Sequence, residues 1–238
     1  MVARDAASGA FGAVICSSSP AVAARCVHLA DGAGAVLSQN VTDPRLGPRL
    51  IGLLSEGADA AAAIAAVVAS EPYAEFRQLI VIDTAGRTAI HSGPAALGVV
   101  GQYAVDGAAA AGNLLATPDV PRRLVETWLA AGGPVETRLL AAFAAAVEEG
   151  GEAGPVHSAG LSVINGSGWR VTDLRVDWSD DPLADLTALL GVWLPQRDAY
   201  IARALNPAAA PSYGVPGDEL STPAASSVRS SLIPRGGS

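Results

Sequence analysis

The sequence predicts an α+β fold: a layered α-β-β-α sandwich of two antiparallel sheets flanked by helices. Two observations carry that expectation. Hairpin signals recur along the chain, but pairs of helical segments separate them, which is not the strict strand-helix alternation of a parallel doubly wound sheet. The length, 238 residues, fits one core plus a tail, since a single core grows to roughly 250 residues before a chain divides. Hydrophobic residues make up 50% of the chain and aromatics 5%, so the core is built mainly from Ala, Val and Leu.

The elements follow in order. Gly12 to Cys16 and Gly34 to Leu37 are short apolar runs bounded by turn formers and read as strands. Between them, Pro20 to Leu29 fits either an extended segment or a short helix, and periodicity does not separate the two. Pro48 to Leu54 has a helical pattern, and Asp59 to Ser70 is a second helix with Asp59 as its cap. Gln78 to Asp83, the turn Thr84-Ala85-Gly86-Arg87 and Thr88 to His91 form a hairpin. Pro118 to Ala131 and Pro134 to Glu149 are helical, and Ala159 to Ile164, Asn165-Gly166-Ser167-Gly168 and Trp169 to Val176 form another hairpin. Asp185 to Gln196 and Asp198 to Leu205 read as closing helices, so the domain spans residues 1–205. Residues 206–238, rich in Pro, Ser and Gly, read as a disordered tail.

Composition removes several function classes. The net charge is −8, every cationic side chain is Arg, and these are scattered without forming a basic stripe, so no nucleic-acid partner is expected. No signal-peptide pattern and no apolar run long enough to span a bilayer occurs, which points to a cytoplasmic protein with no membrane partner. Cys16 and Cys26 read as reduced core residues. A symmetric homo-oligomer is the base-rate expectation for a soluble protein.

Common catalytic signatures fail on inspection. The segment around Ser158 approaches a nucleophile elbow, but Val156 stands where the tight turn wants Gly. Gly32 and Gly34 open like a dinucleotide fingerprint, yet Leu37 replaces the third Gly and a strand follows. His28, His91 and His157 have no ligand spacing, so neither metal nor other cofactor is expected. Asp173, Asp177, Asp180 and Asp181 read as helix-end carboxylates.

Three polar features remain. Cys16-Ser17-Ser18-Ser19 and Ser38-Gln39-Asn40 each end an apolar strand, where a loop presents polar groups at the rim of a sheet. Asn113, preceded by Gly112 in an apolar setting, is placed either as an oxyanion donor or as part of a turn.

The chain also resembles a known family. Val2-Ala3-Arg4-Asp5, Gly12-Ala13-Val14 with Ser17, Gly32 to Val36 leading to Gln39 and Pro44, and Leu46-Gly47-Pro48 are similar to the opening of DUF1028 proteins. Arg77-Gln78-Leu79, His91-Ser92-Gly93, Gly112-Asn113-Leu114-Leu115, Ser158-Ala159-Gly160-Leu161 and Asp173 to Asp177 before Pro182 continue the match to about Trp193. The resemblance implies an N-terminal-nucleophile (Ntn) hydrolase fold, in which the first residue supplies both nucleophile and, through its α-amine, general base. It implies a small amide substrate, cyclic or derived from an amino acid. On this reading Asn113 is the oxyanion donor, with Ser17 and Gln39 in the catalytic group. Ser18, Ser38, Asn40, Gly112 and His91 are the binding candidates. Family members open Met-Thr-Phe-Ser-Ile-Val-Ala-Arg-Asp or close to it, whereas here Met1 falls inside that strand and Val2 carries no hydroxyl or thiol. Either the true start lies upstream, as the retained Gly112-Asn113 pair favours, or the domain has lost the chemistry and binds or scaffolds.

Overall fold

A computed structural model describes residues 1–215. The predicted tail beyond residue 215 lies outside the described residues. Strands β1 (Val2–Arg4), β2 (Phe11–Ser17), β3 (Val27–Ala30), β4 (Gly34–Asn40), β5 (Arg77–Asp83), β6 (Thr88–Ser92), β7 (Gly101–Val105), β8 (Ala108–Gly112), β9 (Ser158–Ile164) and β10 (Arg170–Val176) are joined by six helices. The helices are α1 (Val22–Cys26), α2 (Leu46–Ser55), α3 (Ala60–Ser70), α4 (Val120–Ala130), α5 (Val135–Glu148) and α6 (Pro182–Leu205).

The strands form two antiparallel sheets, as the α+β reading requires. The larger runs β10-β9-β2-β1-β8-β7 and the smaller β3-β4-β5-β6. One apolar cluster draws on both, with Val2, Ala13 and Ala109 from the larger sheet and Leu37, Ile80 and Ile82 from the smaller. Strand alternation sends the intervening residues of the smaller sheet the other way. Val36, Leu79 and Val81 therefore pack with Leu50 and Leu54 of α2 and Ile64 and Val67 of α3.

The match between local sequence and local structure is close in several places. The Asp59 carboxylate accepts the Ala62 N–H at 2.8 Å, as a helix cap does. The hairpins β5-β6 and β9-β10 pair in antiparallel register where alternation and turn residues placed them. The segment left open between helix and strand is both: α1 followed directly by β3. Other expectations need correction. The two closing helices are a single helix, α6, with Pro195 inside it. The strands β1, β7 and β8 also escaped the periodicity reading. Of the acidic group, Asp181 alone acts at a helix start, accepting the Ala184 N–H at 3.0 Å, while Asp173 lies on β10 and accepts the Ser162 hydroxyl at 2.7 Å. Among the described residues no helix is long and apolar enough to cross a membrane.

The described residues divide into two units, Met1–Arg197 and a second that begins at Asp198. In the second, Arg203 stacks on Tyr213, its guanidinium carbon 3.8 Å from the ring centre, and donates to the carbonyls of Pro211 and Ser212.

Gly160 on β9 illustrates how tightly the first unit is packed. A Cβ there would sit 2.3 Å from the Cβ of Ala23 on α1. Both contacting groups are short and cannot swing aside, so Gly160→Ala must lift α1 from the sheet. The expected cost is about 2 kcal/mol, in the range for overpacked cores, read as a lower urea midpoint at unchanged m-value.

Candidate functional site

The site begins with an interruption in the larger sheet. β1 is a central strand, yet it has 3 residues, between β2 with 7 and β8 with 5. Its ladder with β2 runs from Arg4↔Phe11 to Val2↔Ala13 and closes where the Met1 amine donates to the Val14 carbonyl at 2.9 Å. Beyond Met1, β2 and β8 continue without a strand between them, and a cavity of about 300 Å³ opens there.

Its walls differ in chemistry. Leu124 of α4 and Phe143 and Val147 of α5 make one side apolar. The opposite side carries a buried amide cluster that spans the two sheets. Gln39 of β4 donates through Nε2 to Gln78 Oε1 at 2.6 Å and to the Ala111 carbonyl of β8 at 2.9 Å. Asn113 Nδ2 donates to the same Gln78 oxygen at 3.1 Å, and Gln78 Nε2 donates to the Gly112 carbonyl at 3.1 Å. Asn113 has two N–H donors; one is held by Gln78, and the other is available to a ligand at the cavity wall. At the far end of β2, Glu152 receives both the backbone N–H and the hydroxyl of Ser18.

Electrostatics make the centre of the cavity unusual. Burial strips the Met1 α-amine of solvent and lowers its pKa from 8.0 to about 5, so the amine is a free base at neutral pH. Cys16 moves the opposite way. Burial, with Glu152 adding negative charge, pushes its thiol up to about 12, so it is protonated and a poor nucleophile. Cys16 retains some accessible surface where it lines the cavity, but the surrounding protein still desolvates its sulfur.

The backbone is strained at the same place. The non-glycine residues with positive φ among those described are Ala21, Asn40 and Leu114. Asn40 and Leu114 line the cavity, and Ala21 immediately precedes its Val22 wall. Such conformations persist only where the surroundings over-determine them, and they concentrate at functional sites.

The model for a family of unknown function, DUF1028, matches residues 1–186. The chain belongs to the DUF1028 family. A crystal structure of a DUF1028 protein from Silicibacter pomeroyi is similar at 25% identity and a TM-score of 0.75, covering 80% of this chain and 86% of that one. No curated protein matches the chain.

Within this DUF1028 fold, Ser17, Ser18, Gln39, Asn40, Gly112 and Asn113 come together around the cavity. Ser38 and His91 do not. Ser38 is fully buried and donates to the Asp43 carbonyl at 3.1 Å, while His91 Nε2 lies 2.8 Å from the Ala74 carbonyl. Both sit in register with Leu79, on the face of the smaller sheet that packs against α2 and α3. Asn40 is occupied as a brace, donating to Phe76 O and accepting from Leu97 N–H. Ser158 is likewise committed: its hydroxyl donates to the Ser19 carbonyl at 2.6 Å and accepts the first N–H of α1 at 3.2 Å. Among the described residues no His side chain bonds to the Ser17 or Ser158 hydroxyl, and no cluster of His, Cys, Asp or Glu is arranged to hold a metal.

Sequence reasoning missed Gln78, Glu152 and the Met1 amine. Gln78 carried a signal, being an uncharged polar residue directly before the apolar run Leu79 to Ile82 of its strand. Glu152 carried none, because its partner is 134 positions away.

Proposed function

We propose that the cavity at the head of β1 is a small-amide site on an Ntn-hydrolase type of architecture, a four-layer α-β-β-α sandwich. The layer reading is supported by the separate apolar clusters on the two faces of the smaller sheet. One observation carries the functional reading: Met1, whose amine is desolvated and unprotonated near pH 7, lines the cavity together with Asn113 and Gln39. A free amine at that position is a general base, and the spare Asn113 N–H is a donor to a carbonyl oxygen that gains charge. Amide hydrolysis further needs a hydroxyl or thiol at the head of β1. The Met1 thioether and the Val2 side chain supply neither, and the Cys16 thiol is held protonated. That observation favours a second reading for the chain as it stands, binding of a small amide without turnover. A cytoplasmic setting fits the two unpaired thiols.

The test pairs binding with hydrolysis. N-acetylalaninamide is expected to bind saturably, and Asn113→Ala to weaken binding about tenfold, the worth of one hydrogen bond in a partly desolvated site. Amine or ammonia release is expected only when Thr-Phe-Ser is added ahead of Met1. Binding indifferent to Asn113→Ala would overturn the amide-site reading. Equal turnover with and without the added residues would overturn an N-terminal nucleophile.

A further inference from the structure

Single exposed apolar side chains are ordinary on a protein surface, but where β4 and β8 end and β5 and β7 begin, several stand together: Val41, Tyr73, Phe76, Leu97, Val99 and Leu114. Their proximity follows from the bonds between their segments. Asn40 and Arg77 form the last pair of the β4-β5 ladder, and just past them the Arg77 guanidinium donates to the Val41 carbonyl and Asn40 Nδ2 to the Phe76 carbonyl, each at 2.5 Å. The Tyr73 carbonyl accepts the Phe76 N–H at 3.0 Å, closing the turn Ala74–Phe76. The Asn40 side chain also reaches Leu97, accepting its N–H at 3.2 Å, while the Leu97 and Val99 carbonyls accept the N–H groups of Leu114 and Leu115. These segments have little freedom. Asn40 and Leu114 hold left-handed backbone conformations, and Gly93, ahead of Leu97, lies so close to Glu75 that a Cβ would stand 2.2 Å from its carbonyl oxygen. The apolar side chains are therefore displayed on a braced surface, which lowers the ordering cost of docking.

We propose that this face is the contact surface of a two-fold homodimer, with Tyr73 as its central anchor. Area and charge both favour a second copy of the chain as the occupant. Together the six residues expose roughly 500 Å², large for an apolar patch on a monomer and close to the apolar share of the about 800 Å² that each partner gives to a stable interface. The ionic groups among them are already neutralised: Arg77 pairs with Glu71 at 2.9 Å, both largely buried, and Arg45 with Asp43 at 2.6 Å. In a chain of net charge −8, such a face lets two like copies approach without adding repulsion at the contact. The same charge opposes docking on an anionic lipid surface. A two-fold axis sets the patch against itself, so one braced apolar surface supplies both sides. Val41, Tyr73, Phe76 and Val99 take no part in the cavity beside Met1, and the contact is independent of the ligand that the cavity takes.

Sedimentation equilibrium of the full chain at micromolar concentrations tests the contact. The parent is expected to be a dimer, and its urea midpoint to rise with protein concentration, as mass action requires when folding and association are linked. Tyr73→Asp and Val99→Asp come from separate segments, and both side chains are exposed, at 58% and 44%, so neither change disturbs the core. Each is expected to weaken the dimer at least tenfold, and the pair about a hundredfold or more, with far-UV circular dichroism unchanged and the concentration dependence of the urea midpoint lost. Leu129→Asp, equally exposed at 55% but on α4, is expected to leave the dimer intact. A monomeric parent would overturn the proposal, and if that monomer also co-sediments with neutral phosphatidylcholine vesicles the patch belongs to a lipid surface instead. A dimer indifferent to Tyr73→Asp and Val99→Asp, or one broken equally by Leu129→Asp, would overturn it as well.

Discussion

Gln78→Leu is expected to destabilise the protein by about 3 kcal/mol, although leucine is apolar and similar in size. Gln78 is fully buried, and its side-chain amide joins Gln39, Asn113, Ser92 and the Gly112 carbonyl across the two sheets. Leucine leaves the Gly112 carbonyl without that donor and removes the acceptor used by Gln39 and Asn113. Each buried polar group orphaned in this way costs about 1–3 kcal/mol, and partial satisfaction is worse than an apolar replacement of the whole network. Gln78→Glu separates polarity from size. It keeps the acceptor oxygens but loses the donor to Gly112 and adds a buried charge, so it is expected to be at least as damaging. Urea denaturation of both variants measures the effect, and a midpoint within error of the parent for Gln78→Leu would show that the amide cluster contributes little to stability.

Stability is expected to fall by an amount on the order of 4 kcal/mol between pH 8 and pH 5 because of the Met1 amine. Unfolded, the amine has its ordinary value of 8.0; folded, burial lowers it to about 5. Between those values the unfolded chain binds a proton that the folded chain does not, so acidification favours unfolding. The contribution is fully present above about pH 8, declines through the window, and levels off below about pH 5. Carboxylates held low by neighbours, such as Asp5 by its hydrogen bonds with Ser8, add their own losses only in more acidic solution. The chain contains a single Met, so a ¹³C label at that residue reports its titration directly. A midpoint near 8 in the folded protein, or a flat stability profile from pH 8 to 5, would contradict a desolvated amine.

The same physics explains what could be read from the sequence. The hairpins β5-β6 and β9-β10 were legible because apolar runs were joined by glycine-bearing turns. The hairpin β7-β8 was not, since Ala108 to Ala111 are all buried and small and give no alternation. A signal was nonetheless present in Asp106-Gly107, a two-residue hairpin turn with Gly107 at φ 87°. Helix α6 reads from the sequence as two helices, Asp185 to Gln196 and Asp198 to Leu205, whereas the structure carries a single helix through Pro195 and Arg197.

At the site, the strand-end polar groups and Gly112-Asn113 were legible as chemistry out of place in apolar surroundings. Ser38 and Gln39 were nevertheless assigned together, and neighbouring residues on a strand face opposite ways, so only one of them reaches the cavity. His91 fails for the same reason, its neighbour Ser92 being the residue in register with Gln78. The amide cluster as a whole was beyond the sequence, because it forms only when two sheets built from distant segments face each other.

The most direct measurement follows the Met1 methyl group by NMR while N-acetylalaninamide is added to the ¹³C-Met-labelled full chain. A saturable shift of that one signal is expected, weakened about tenfold by Asn113→Ala, because the ligand enters the cavity that Met1 lines. A Met1 signal that stays fixed while the amide binds would place the site elsewhere and contradict a functional centre at the head of β1.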